Sequence, residues 1–433
     1  MLSHGWGRWP VIRGDLLPVT SPAAAARLLS AGPAIARGLG RSYGDSALAA
    51  RMLDMRPYDW LIDFDADTGR LQCAAGTTLD DIVSVFLPRG WFPAITPGTR
   101  FVTVGGAIAS DVHGKNHHHH GCFSTHVESI DILLGDGSVL TCSRNAYPDL
   151  FHATCGGMGL TGVVLRATLR LVRVPGSHIA QTTRKARNLV HALEIFQAAR
   201  SATYSVAWLD CLARGEHLGR ALVTTGEHVA GPRMAVPPRA LPVPFDLPGF
   251  VLNRHTVGAF NRLYYARERG ARTERTVGYA PFFYPLDGLR DWNRLYGRRG
   301  FTQYQCVIPH EGALAGLTAV LERIADSGKG SFLAVLKELG AANANPLSFP
   351  LAGYTLALDF RIEPDLPPLL DALDTIVLAH GGRVYLAKDA RMSADTFRRG
   401  YPAWAQFQAV RERYGARGHF ASMQSHRLGL EAW

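Results

Sequence analysis

Ala-Arg-Gly-Leu-Gly-Arg-Ser-Tyr-Gly-Asp-Ser-Ala-Leu, residues 36–48, decides how the N-terminal part of the chain is read. An apolar strand expected at 34–36 runs straight into it, and Gly38, Gly40 and Gly44 put three residues without side chains inside seven positions. A turn of this composition can aim several backbone amides at one diphosphate, because glycine adopts positive φ and leaves nothing in the way. The spacing G-x-G-x-x-x-G misses the dinucleotide fingerprint by one residue. A phosphate cradle and a tight structural turn both remain open at this point.

Working outward, the chain reads as mixed α and β at close intervals. A helix is expected over 22–30, strands over 60–64 and 71–75, and a helix over 78–87 whose Leu79, Ile82, Val83 and Phe86 share one face. A second glycine-rich run, with Gly98, Thr103, Val104, Gly105 and Gly106, leads through Ser110 to His113-Gly114-Lys115-Asn116 and four more histidines. That run invites a metal. The segment reads as extended, so neighbouring side chains point in opposite directions, which suits a metal poorly. A solvated loop, or ligand contact by His113 or Lys115, accounts for it, and no metal is expected. Strands over 129–134 and 162–172 close an N-terminal domain of about 1–175, the second as a half-buried alternation. Gly157, Gly159 and Gly162 spell a formal G-x-G-x-x-G, but a strand follows in place of a helix, which rules out a dinucleotide-binding turn.

Over 176–390 the pattern changes to strands at 204–209, 301–308 and 354–360 with helices at 312–324 and 366–380, predicting a sheet covered by helices on one side and an α+β fold class. Residues 234–260 hold Pro237, Pro238, Pro242, Pro244 and Pro248 and read as one long loop without regular structure. A helix candidate at 401–414 predicts that the segment from about 390 to 433 returns to the N-terminal domain. Gln303 and Gln305 project from one strand face at period two, an arrangement suited to sugar hydroxyls. Lys337 and Lys388 fall on or beside other strands, so that face would offer donors to an anionic or hydroxylated ligand.

Composition narrows the partners. With 47% hydrophobic and 19% charged residues the chain is globular. Its six cysteines form no C-x-x-C pair and no zinc spacing, so they read as buried hydrophobes in a reducing compartment. No apolar run reaches the roughly 18 residues of a membrane span, and a cytoplasmic location is expected. The formal charge is +10, but the basic residues are scattered, so a phosphate-bearing ligand is expected and nucleic acid is not. Of 46 basic residues only Lys115, Lys185, Lys329, Lys337 and Lys388 are lysines. A lysine kept among arginines is either codon chance or a place where a compact ammonium with an adjustable pKa is needed.

Taken together, ARGLGRSYGDSAL (36–48), TPGTRFVTVGGAIASDVHGKNHH (96–118), LFHATCGGMGLTGVV (150–164), FFYPLDGLRDWNRLYGRRGFTQYQCVIP (282–309), LKELG (336–340), PLSFPLAGY (346–354) and GGRVYLAKDAR (381–391) resemble the decaprenylphosphoryl-β-D-ribose oxidase group of the vanillyl-alcohol-oxidase type FAD-linked oxidases. The resemblance implies a two-subdomain FAD-binding domain beside an antiparallel substrate sheet, with the flavin ring at their junction. It places FAD, without a covalent bond, at Arg37, Gly38, Leu39, Gly40, Arg41, Ser42, Tyr43, Gly44, Asp45 and Ser46, at Gly98, at Thr103, Val104, Gly105 and Gly106, at Ser110 and His113, and at Val164 and Tyr385. It puts Lys115, Tyr43, Gln303, Gln305, Lys337 and Lys388 on the substrate side. Thr355 and Ala357 line the same side, where mycobacterial members carry an asparagine and a cysteine.

The activity so implied is oxidation of the ribose C2 hydroxyl of a polyprenyl-phosphoryl-β-D-ribose to a keto sugar, which a separate NAD(P)H-dependent reductase would convert to the arabinose epimer. Removing hydride from a carbinol requires that the hydroxyl proton also leave, and Lys388 is the first candidate for the base. Tyr43 and Gln305 would orient hydroxyls, and Lys337 with Lys115 would answer the phosphate. A soluble aldose or aldonolactone oxidase on the same scaffold, and a basic lipid- or nucleic-acid-binding protein without catalysis, are the rival readings. The apolar 234–260 loop favours the lipid-linked substrate and predicts peripheral contact at the inner membrane.

Overall fold

Residues 1–235 and 240–432 are described by a computed structural model of the chain. Asp15–Pro18 and Ile35–Arg37 flank Arg51–Asp54 in a small parallel sheet, and the helix Pro22–Ser30 makes the crossover between the first two strands. That helix starts where it does because Ser21 accepts a bond from the Ala24 amide and Pro22, which has no amide to satisfy, takes the first position. A second, antiparallel sheet runs in the order Val139–Ser143, Val127–Leu133, Val163–Arg173, Arg70–Ala74, Leu61–Asp65, with Trp91–Pro93 also on Val163–Arg173. The helix Leu79–Phe86 buries Leu79, Ile82, Val83 and Phe86 and is closed by a reciprocal cap between Thr78 and Asp81, a device that contributes about 1 kcal/mol. The strand Val163–Arg173 is more buried than a half-exposed alternation. Val164 and Thr168 are enclosed as well, because the helix Val104–Ala109 packs over Val164 and Ser129 bonds to Thr168.

The second domain is one eight-stranded antiparallel sheet, ordered Arg272–Gly278, His178–Ala186, Ala221–Val229, Tyr204–Leu209, Ala334–Leu339, Gly353–Arg361, Phe301–Pro309, Arg383–Val384. Helices Leu189–Ala198, Ala313–Ser327 and Leu366–Ala379 bury apolar faces against one side in the largest core cluster. The other side meets the N-terminal domain. Beyond 390 the chain stays first on the second sheet's side, with Arg391 paired to Asp371 and Asp374 and the Tyr401 hydroxyl donating to the Val384 carbonyl, and then reaches the N-terminal part: Ala34 bridges to Phe420, Asp45 pairs with Arg427, and the fully buried Arg411 donates to the carbonyl of Leu160.

Two local expectations are corrected. The loop expected over 234–260 ends early, because a helix, Arg254–Ala266, begins inside it. The last proline is Pro248, and Asn253 and Thr256 form a reciprocal cap that starts the helix. Pro237 and Pro238 lie outside the described residues. The histidine run is not extended: His117–His120 forms one helical turn, with the amides of His119 and His120 donating to the Asn116 carbonyl. All six cysteines are buried and unpaired.

Candidate functional site

The glycine loop is shaped by its neighbours. Gly40 sits at φ +64, in the left-handed region. A Cβ at Gly44 would stand 1.8 Å from the Asp389 carbonyl oxygen, and one at Gly38 would stand 2.3 Å from Thr103 Oγ1. Thr103 in turn caps the helix Val104–Ala109, accepting from the Gly106 amide at 3.2 Å. The two glycine-rich segments therefore close on each other with no room for side chains at the seam. The amides of Gly38, Leu39, Gly40, Arg41 and Ser42 donate to nothing among the described residues. A run of unpaired amides in a glycine turn suits an anion, and the open space around Gly98 adds room. This donor set fits the diphosphate of FAD.

Side chains in the loop are mostly committed elsewhere. Arg37 donates to the carbonyls of His4 and Ala47, Ser42 bonds Ser46 at 2.9 Å, and the Arg41 guanidinium lies 4.1 Å over the Trp6 ring. Asp45 is buried in its pair with Arg427 at 2.8 Å. Val104 and Val164 have their side chains in the core. What these positions can offer a cofactor is chiefly backbone.

Strand pairing builds the opposite wall. Gln305 lies across from Ala357, Gln303 across from Asp359, and Lys337 across from Thr355. Alternation then sets all six on one face. Gln305 Nε2 reaches His113 Nε2 at 3.0 Å and donates to Thr355 Oγ1 at 3.2 Å. An amide nitrogen only donates, so His113 Nε2 accepts and the ring proton lies on Nδ1, which is buried and has no partner among the described residues. Burial, with Lys337, His117 and Lys388 adding to it, holds His113 well below the usual imidazole range, hence neutral. The Tyr385 ring stacks on Phe349 at 4.7 Å and lies 5.3 Å from His113, while its hydroxyl donates to the Ser110 carbonyl at 2.7 Å. These contacts join the two domains at the site.

Three lysines face this junction. Lys388 Nζ lies 3.8 Å above the centre of the buried Tyr43 ring. Burial lowers its pKa to about 7, against the opposing effect of Asp359. Lys115 donates to the Phe282 carbonyl and is lowered to about 7, by burial first and then by Lys337. Lys337 itself is brought to about 8 by burial. Because Lys337 depresses Lys115, Lys388 and His113 alike, an anion placed among them would relieve all four groups.

Sequence reasoning missed Asp359, although it follows Thr355 and Ala357 at period two on the same strand face, a signal that was available. It also missed the aromatic wall of Trp292, Tyr296 and Phe301 around Tyr43. The histidine run serves the domain contact: His117 accepts from the Gly340 amide at 3.0 Å and lies 3.3 Å from Cys122 Sγ. The neighbouring Asp111 carboxylate accepts from Ser124, Asn343, Asn345 and Ser348. Among the described residues no cluster could hold a metal ion.

The chain is similar to known proteins along nearly its whole length. Residues 23–143 match the FAD binding domain family. The chain is 36% identical to the decaprenylphosphoryl-beta-D-ribose oxidase of Mycolicibacterium smegmatis over 98% of its own length and 97% of that protein's. It is 35% identical to an uncharacterized protein of the mprA 5' region of Streptomyces coelicolor, over 82% of this chain and all of the relative. Cytokinin dehydrogenase 4 of Arabidopsis thaliana matches at 28% over 36% of this chain and 30% of its own.

Proposed function

The chain belongs to the decaprenylphosphoryl-β-D-ribose oxidase family of FAD-dependent oxidoreductases, and from that premise we propose that it oxidises the ribose C2 hydroxyl of a polyprenyl-phosphoryl-β-D-ribose. The observation that carries the reading is that Lys115 and Lys388 converge at the junction on the face that holds Lys337, Gln303 and Gln305, which brings amines for a phosphate and a proton beside amides for hydroxyls. Bound FAD supplies the acceptor for the hydride and its electron pair that leave the carbinol carbon. Lys388 as the free amine takes the hydroxyl proton, so that the carbinol becomes a ketone. Tyr43 and Gln305 orient the sugar, Lys337 and Lys115 hold the phosphate, and Thr355 and Ala357 bound the pocket. Neutral His113 fixes the junction through Gln305. FAD is held without a covalent bond, so acid precipitation of the protein releases it.

The test is anaerobic bleaching of the flavin absorbance with phosphoribosyl lipids and with free aldoses and aldonolactones. Bleaching by the lipid-linked phosphoribose alone is expected. Equal or faster bleaching by a free sugar would move the protein to soluble-sugar oxidation.

The ketone is one half of an epimerisation, so a separate NAD(P)H-dependent keto-reductase is the partner this product calls for. A polyprenyl substrate also requires work at a membrane surface, which we take to be that of the inner membrane. No helix among the described residues is long and apolar enough to cross it. Met234, Leu241, Phe245, Phe260 and Leu263 are nonetheless exposed, in the same stretch of sequence as the exposed Arg254 and Arg262. Apolar side chains entering the lipid interface, with about 1 kcal/mol from each basic residue at an anionic surface, support a peripheral docking patch. The combined variant Leu241→Ser, Phe245→Ser, Leu263→Ser is expected to keep FAD, sediment with anionic vesicles about tenfold less well, and lose activity on long-chain substrate more than on a short-chain analogue. An equal loss on both substrates argues against membrane docking.

A further inference from the structure

We infer that Asp359 is a positioning residue for this oxidation: its carboxylate orients the Gln303 amide and provides the counter-charge facing Lys388. The inference rests on the reading of the reaction just given and adds to it a residue with no role so far. Asp359 is 1% exposed, in the strand Gly353–Arg361 whose preceding site-facing positions are Ala357 and Thr355. A carboxylate is costly there unless it is paired. Its bonds go to neutral donors: Gln303 Nε2 at 2.7 Å on one oxygen and the Tyr296 hydroxyl at 3.3 Å on the other. Its amide is tied to Ser331 Oγ at 3.1 Å, which fixes the backbone without using the charge. Among the described residues it forms no ion pair, and the cation whose charge reaches it through space is Lys388, from the turn after Arg383–Val384.

The other groups facing this pair are known. Tyr43 packs under Lys388 from the glycine loop, and Tyr296 bonds the carboxylate from the turn Trp292–Tyr296. Lys337 opposes the Lys388 charge from the strand Ala334–Leu339. His113, across the junction, is neutral. Burial raises the Asp359 carboxyl to about 7 and lowers the Lys388 amine to about 7, and each favours the charged form of the other. When Lys388 accepts the hydroxyl proton, the ammonium forms within the field of a carboxylate already held by two donors. Asp359 thus makes Lys388 a stronger base and stabilises the ammonium that results, without touching the reacting carbon.

The experiment follows the lysines directly. The chain has five, so the FAD-bound protein labelled with [ε-13C]lysine gives five signals, assignable with lysine-to-arginine variants. Asp359→Asn keeps an oxygen for Gln303 and a polar group for Tyr296 but removes the charge. In that variant the Lys388 titration midpoint is expected to fall by about one pH unit, since the amine loses the neighbour that favoured its protonation. The signals of Lys185 and Lys329 should not move. Stopped-flow reduction by the lipid-linked phosphoribose should show its acid limb displaced to lower pH and a plateau at least about tenfold lower. A Lys388 midpoint that stays in place overturns the inference, as does an undiminished plateau. Should Asp359→Asn not fold, Tyr296→Phe makes the same test: it removes a donor to the carboxylate, favours its protonated form, and should move Lys388 in the same direction by less. The titration needs no substrate, so a failed substrate panel and a failed role for Asp359 are told apart.

Discussion

Lys388→Ala is expected to retain its FAD absorbance and to lose about two to four orders of magnitude in the rate of flavin reduction by substrate. Retention follows from geometry, because the cradle is backbone at residues 38–42 and the Lys388 amine lies over Tyr43. The loss follows from chemistry, since Lys388 is the amine assigned to the carbinol proton, while Lys337 and Lys115 are assigned to the phosphate. In the parent enzyme the rate should rise with pH through a midpoint near 7, the free amine being the reactive form and protonation below that value silencing it. The variant should lack that limb. Rapid-mixing absorbance across pH 5.5–9 checks both points, and reduction as fast as the parent's would make Lys388 a bystander.

The second large effect is on stability. Arg411 is fully buried and donates to the carbonyls of Leu160, Leu430 and Phe420 at 2.9–3.0 Å and to Gln408 Oε1 at 2.7 Å, while pairing with Glu431. Arg411→Met retains much of the side-chain length but leaves the Leu160 and Phe420 carbonyls without a donor and the buried Glu431 carboxylate without its cation. Truncating one partner of a buried pair costs about 3–5 kcal/mol. Because Leu160 belongs to the N-terminal domain and Phe420 and Leu430 to the returning segment, the cost should fall on that seam. Urea unfolding followed by flavin fluorescence should show FAD release shifted to lower denaturant. A loss under about 1 kcal/mol would mean that the seam is held by apolar packing instead.

Where the sequence carried local instructions, it was readable. Ser21-Pro22 marks the start of the first helix, and Thr78 with Asp81 marks the second, because capping is decided within four residues. Lysine scarcity pointed toward the site: Lys115, Lys337 and Lys388 gather at the junction, while Lys329 pairs with Glu363 and Asp365, and Lys185 bonds the Glu268 carbonyl. Strand order was not readable, because Tyr204–Leu209 pairs with Ala334–Leu339 across more than a hundred residues and nothing local records that choice. The helix at Arg254–Ala266 was hidden by the prolines before it, which set the character of the whole window. Asp359 was passed over because one acid in an apolar strand has no meaning until Gln303 and Lys388 are brought beside it.

The seam at Gly44 bears on how the holoprotein comes into being. The Gly44 α-carbon is pressed against the Asp389 carbonyl, and Asp45 is held by Arg427, so the candidate cradle is backed by residues more than 340 positions later in the sequence. Residues 1–175 alone are therefore expected to hold FAD poorly, and adding back the part of the chain that carries Asp389 and Arg427 is expected to restore it.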